Sequence, residues 1–149
     1  MITKVGMQGN FLDALTDLIE LEYDAVEAYQ TAINRLRNDH IKQQFEDFLR
    51  DHQRHIQEGS DYLNRQGREA PRSASAKSII TQGKVVIADI MGDTAILRAM
   101  RSNELDTNTA YERMVQMAPQ DCSEMLRRAY EDERRHLNWI ETQLQDEAA

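Results

Sequence analysis

The chain has 149 residues and a formal charge of −8, with 40% hydrophobic and 30% charged residues. That balance suits one soluble domain spanning 1–149 rather than a disordered chain, and the negative charge argues against binding nucleic acid or an anionic membrane surface. A single cysteine, Cys122, excludes a disulfide framework and a four-cysteine iron or zinc site, and no stretch approaches the ~18 apolar residues of a membrane span.

The opening MITKVGMQGNFLDALTDLIELEYD turns acidic without the apolar run of a signal peptide, so a cytoplasmic location is expected. Helical periodicity then predicts a first helix from Phe11 to Arg37, with Leu12, Leu15, Leu18, Ile19, Val26, Ile33 and Leu36 on one stripe. Asn38 and Asp39 form a short turn, with Asp39 read as the next N-cap. A second helix runs from His40 to Gln66 and is closed by Gly67. The link 67–92 is polar up to Ser75, carries Pro71, and contains a short helix predicted over Lys84–Met91. Asp93 is read as the N-cap of a third helix that reaches Gln116. The turn Ala118-Pro119-Gln120 leads to a fourth helix ending near Gln145. Two tight hairpins, 11–66 and 93–145, joined by one long crossover predict an all-α antiparallel four-helix bundle. The link is long enough to run back along helices of about 39 Å, at about 1.5 Å per residue.

The two hairpins repeat each other. Glu22-Tyr-Asp-Ala-Val-Glu-Ala-Tyr29 matches Glu104-Leu-Asp-Thr-Asn-Thr-Ala-Tyr111, and Asp51-His-Gln-Arg-His-Ile56 matches Asp132-Glu-Arg-Arg-His-Leu137. This is an internal duplication, and it predicts a pseudo-two-fold axis through the middle of the bundle.

The inward stripes carry ionisable intruders. They read Leu15, Leu18, Glu22, Ala25, Tyr29, Ala32 on the first helix and Ile41, Phe45, Phe48, His52, His55, Gly59, Tyr62 on the second. The third gives Leu97, Met100, Glu104, Thr107, Tyr111, Met114, and the fourth Met125, Ala129, Glu133, His136, Ile140. Glu22, His52, His55, Glu104, Glu133 and His136 all fall near the middle of their helices, so they are expected to converge. Burying one unpaired carboxylate costs several kcal/mol, and no Lys or Arg occupies an inward position. Divalent metal ions would supply the missing charge, and carboxylate with imidazole is a ligand set for iron, manganese or zinc. The i, i+3 spacing of His52/His55 and of Glu133/His136 puts each pair on one helix face, about a turn apart.

A Glu on the first and third helices, a histidine motif on the second and Glu-x-x-His on the fourth resemble the di-iron sites of the ferritin-like superfamily. The Glu22/Tyr29 and Glu104/Tyr111 spacing is similar to rubrerythrins and to small bacterial branches of that superfamily. The resemblance implies a ferritin-like bundle, two divalent metal ions, iron above manganese or zinc, and an oxidoreductase of ferroxidase or peroxidase type acting on Fe(II) with O2 or peroxide. It implies that Glu133 bridges, that Glu22 and Glu104 are terminal or semi-bridging, that His55 and His136 are terminal, and that Tyr29 and Tyr111 hydrogen-bond to ligand carboxylates. A homodimer is the expected assembly, and the electron donor is left open. One departure stands out: His52 occupies the place of the family's second-helix Glu. Three carboxylates against two divalent ions leave a formal +1, which an exogenous anion or occupancy by one ion would remove. Alternatives are a metal-binding or storage bundle without turnover, and a structural stress-related bundle. The sequence ends soon after the fourth helix, so the fifth helix of cage ferritins is not expected, and the single cysteine leaves no cysteine-bound iron of the rubrerythrin kind to expect. Asp51 and Asp132 are read as solvated helix faces, with support of the site as their alternative, and Cys122 is read as a small core residue.

Overall fold

The structure, a computed structural model, describes residues 3–74 and 91–148. Four helices are found among them: α1 Phe11–Arg35, α2 Asp39–Arg65, α3 Asp93–Met117 and α4 Gln120–Ala148. The short helix predicted over Lys84–Met91 lies almost wholly outside the described residues. None of the described helices is long and apolar enough to cross a membrane.

Local chemistry explains where the helices begin and end. Asn10 caps α1 by accepting from the Asp13 amide at 3.1 Å. The chain leaves α1 two residues earlier than predicted, because Leu36 turns to extended backbone after a last bond from its N–H to the Ala32 carbonyl. The cap of α2 is Asn38 rather than Asp39: its side-chain oxygen accepts from the amides of His40 and Ile41, at 2.9 and 3.1 Å. Asp39 falls in the first turn instead, where its charge favours the helix N-terminus. Gly67 follows α2 at φ 76, and the amides of Gly67 and Arg68 bond back to the carbonyls of Asn64 and Leu63, the left-handed closure that glycine permits. Asp93 does not cap α3, whose cap position is Gly92. The Asp93 carboxylate accepts instead from the amides of Arg37 and Asn38, at 2.9 and 2.8 Å. It therefore ties the start of α3 to the turn between α1 and α2.

The helices form a four-cornered bundle. α1 packs along α2, α3 along α4, and the ring closes through α1–α3 and, more loosely, α2–α4. Asp93 at the α1–α2 turn, and Tyr62 bonded to Asp121 at 2.9 Å, make the α1–α3 and α2–α4 neighbours antiparallel. The core divides into two apolar clusters. One holds Leu15, Leu18, Leu63, Met114, Cys122 and Leu126, and the other Ile41, Phe45, Phe48, Ile96, Met100 and Ile140. A polar layer separates them.

Asn38→Ala should cost about 1 kcal/mol, the usual worth of an N-cap, while Asn38→Asp stays near neutral. Urea midpoints of the two variants against the parent check this, and a silent Ala variant would contradict the capping role.

Candidate metal centre

The polar layer is built from one turn of each helix. Glu22 on α1, His52 and His55 on α2, Glu104 on α3, and Glu133 and His136 on α4 are all buried, none more than 5% exposed. All six residues of the inward stripes therefore meet at one depth.

Their ligand atoms fall into two overlapping groups. Glu22, His52, His55 and Glu133 each place a nitrogen or oxygen within 4.8 Å of the others, and so do His52, Glu104, Glu133 and His136. Two residues belong to both groups. Glu133 divides its oxygens: Oε1 lies 3.2 Å from His55 Nδ1, and Oε2 lies 3.7 Å from His136 Nδ1. His52 divides its ring. Nδ1 lies 2.7 Å from Glu22 Oε2 and 3.3 Å from Glu133 Oε1, while Nε2 lies 3.2 Å from Glu104 Oε1. The duplication places His52 and Glu133 at equivalent positions, and both stand between the two groups.

The surroundings are cross-linked between the halves. Tyr29 on α1 donates its hydroxyl to Glu104 Oε1 on α3. Tyr111 takes the equivalent place on α3; burial and the Glu22 charge raise its phenol well above the usual value. His136 Nε2 meets Asp51 Oδ2 at 2.8 Å and His55 Nε2 meets Asp132 Oδ2 at 3.0 Å, contacts between residues 85 and 77 apart in the chain. Asp51 and Asp132 are therefore only partly solvated, contrary to the helix-face reading. Each turns its carboxylate inward to hold the histidine of the opposite half, leaving both Nδ1 atoms aimed at the centre. Arg54 and Arg135, exposed themselves, bind these two aspartates from outside.

Two contributors escape sequence reasoning. The Thr107 hydroxyl lies 3.2 Å from Glu104 Oε2 and 3.0 Å from Glu133 Oε2, so it can donate to either carboxylate. The Asn108 amide donates to the backbone carbonyls of Glu104 and Glu133, at 2.8 and 3.0 Å, and pins α3 to α4 beside the site. Thr107 carries the one available signal, a hydroxyl on the inward stripe between Glu104 and Tyr111. Asn108 sits off the stripe and carries none.

Electrostatically the layer demands positive charge. Burial raises the carboxyl of Glu22 and of Glu104, but the adjoining histidines outweigh it and hold both well below the usual range. Glu133 moves the other way, raised by burial and by the charges of Glu104 and Glu22. Burial opposes protonation of His52 and His55, yet the carboxylates around them push both well above the ordinary imidazole value. His136 is pushed up to about 10 against its own burial, by the charge of Glu104 and the bond to Asp51. In the metal-free protein, bound protons thus serve as the counter-charge.

The residues fit a cation. Glu133 Oε1, His55 Nδ1 and His136 Nδ1 are buried without a hydrogen-bond partner, although charged neighbours stand 3.2–3.7 Å away, and Glu22 Oε1 is likewise buried and unpartnered. Buried polar atoms are normally satisfied, so four such atoms in one layer leave room for a shared electrophile. Three carboxylates and three imidazoles suit a divalent transition metal.

Burial raises the Asp51 carboxyl, but the bonds from His136 and Arg135 prevail and hold it at about 2, against an ordinary 3.8. A depressed folded value gives stability that is present above about pH 4 and lost as pH falls toward about 2. The metal-free Asp51→Asn variant should therefore be less stable than the parent at pH 7, with the difference shrinking below pH 4. Urea midpoints across that range test it; a difference independent of pH would contradict the assigned contact.

A conserved hypothetical protein from Mycobacterium tuberculosis, known from its crystal structure, is similar in fold. Its TM-score is 0.74, with 18% identity over 91% of this chain and 98% of that one. At that identity the likeness concerns the fold alone. No curated protein matches the sequence significantly. The family model for DUF2383, a domain of unknown function, matches residues 10–117, which takes in α1, α2 and α3 with Glu22, His52, His55 and Glu104. With most of its length matched by that model, the chain belongs to the DUF2383 family.

Proposed function

We propose that the chain holds two divalent metal ions in the manner of the ferritin-like superfamily, iron first, with manganese and zinc as alternatives, and works in iron oxidation or in the reduction of O2 or peroxide. The observation that carries this reading is the pair of overlapping four-residue groups that share Glu133 and His52. Glu22 and His55 would hold one ion, Glu104 and His136 the other, and Glu133 would face both through its two oxygens. Iron bound there would supply electrons to an oxidant. The chain's own part is to orient and to exclude. Asp51 and Asp132 fix the histidine rings, Tyr29 and Thr107 hold the carboxylates, and the two apolar clusters keep bulk water from the layer.

A second reading is favoured by His52, which contacts all three carboxylates through both ring nitrogens and supplies a cation of its own. In that case the centre binds metal without turnover, or serves only to hold the bundle together. Metal analysis of protein purified without chelators, followed by anaerobic titration with Fe(II), separates these readings. A metal centre takes up about two ions per chain and releases protons as it does so, because its ligands must be deprotonated.

Binding of metal to the folded state alone raises the thermal midpoint with Fe(II) or Mn(II). Glu104→Ala should lower metal content and also melt lower than the parent in the metal-free state, since Tyr29, His52 and His136 lose the carboxylate they face. Equal midpoints with and without metal would favour the structural reading.

His52 tests the family departure. His52→Glu provides the fourth carboxylate and should raise the metal-to-protein ratio or the rate of Fe(II) oxidation, while His52→Ala lowers both. If His52 only packs and hydrogen-bonds beside the site, Ala will be nearly silent and Glu will destabilise the bundle through an uncompensated buried charge. Iron stoichiometry and oxidation rate, measured side by side, decide between the two.

A further inference from the structure

The duplication makes the two metal positions alike in ligands but not in what covers them. Beside Glu22, His55 and Tyr111 lies a cavity of about 10 Å³, near the minimum for one water-sized molecule. Leu15, Leu18 and Ile19 of α1, Gly59 of α2, and Leu126 and Ala129 of α4 line it, and the partly exposed Glu58 and Met125 form its rim. At the equivalent positions beside Glu104 and His136 stand larger groups: Ile140 for Gly59, Trp139 for Glu58, Phe45 for Leu126 and Phe48 for Ala129. Phe48 packs on the His136 ring at 4.2 Å between centroids, and Trp139 closes on Phe48 at 5.6 Å. One position is walled by aromatic rings, whereas small residues leave space beside the other. Glu22 lines that space, and its Oε1 is buried without a hydrogen-bond partner.

We infer that a small uncharged molecule, about the size of water or a diatomic gas, reaches the Glu22/His55 position through this cavity, while the Glu104/His136 position is closed to it. The lining selects for neutrality, since an ion would have to shed its hydration along a wall of leucine, isoleucine and alanine. The two halves then divide the labour, one position taking an exogenous ligand and the other held by protein alone. Ala129 and Gly59, neither of them a candidate ligand, set the access. Any further space at Gly59 is limited, because a Cβ there would stand 3.1 Å from Ile19 Cγ1.

This inference rests on the proposed metal centre for what the molecule binds, but the cavity is present in the chain without metal. The probe is nitric oxide, added anaerobically to the Fe(II)-loaded protein and followed by paramagnetic resonance together with metal analysis. One nitrosyl should form per pair of ions. Ala129→Phe, which places the counterpart's ring in the cavity, and the milder Ala129→Leu should abolish it with iron content unchanged, while Phe48→Ala should admit a second nitrosyl. Nitric oxide on both ions or on neither in the parent, or binding that persists in both Ala129 variants, overturns the inference. Failure to load metal sinks the metal-centre reading instead, and crystals of the metal-free protein then test the cavity. An ordered water within hydrogen-bond distance of the Glu22 carboxylate, lost in Ala129→Leu, supports the access route, and a dry cavity in the parent overturns it.

Discussion

Three carboxylates sealed in one layer of a helical bundle set the terms for everything around them. Glu22, Glu104 and Glu133 are buried from solvent, and no lysine or arginine is buried beside them among the described residues. Positive charge must come from protons on His52, His55 and His136 or from bound cations. The histidines supply it in the metal-free protein, which is why their proton affinities rise against their own burial. The same atoms would release those protons to a metal, so folding, protonation and metal binding are linked through one cluster.

Duplication accounts for how such a costly layer is held in place. Each half contributes an aspartate that reaches past its own helix to the histidine of the other half, and the two outer arginines close the exchange. Neither hairpin can complete its histidine alone. The α2–α4 side packs least tightly of the four neighbouring pairs, yet it carries this polar exchange, so side-chain bonding stands in for close helix packing there.

The chain departs from its own symmetry in two places. His52 stands where the duplication has Glu133, which exchanges a potential carboxylate bridge for a ring with a nitrogen toward each group. Gly59 and Ala129 stand opposite Ile140 and Phe48, which makes the cover of the layer unequal. The first change alters the charge and spacing of the site, and the second alters what can approach it. If the proposed centre holds two ions, both changes would give its two positions different tasks.

Periodicity in the sequence determined the four helices, the buried stripes, the repeat and the common depth of the six ionisable groups, because these depend on which face of a helix a residue occupies. It also located the ends of the helices to within about three residues, where turn residues such as Asn38, Gly67 and Pro119 mark them. Asn38 and Asp93 show the limit of that reading. Which of several neighbouring polar side chains caps a helix depends on what else competes for it, and Asp93 is drawn away by amides more than 50 residues distant in sequence. Asp51 and Asp132 show it more strongly. From spacing alone they lie at the edge of a stripe, equally able to face water. Only the meeting of α2 with α4 gives them a histidine to hold, because a helical pattern specifies direction around its own axis and says nothing of the distance to a side chain on another helix.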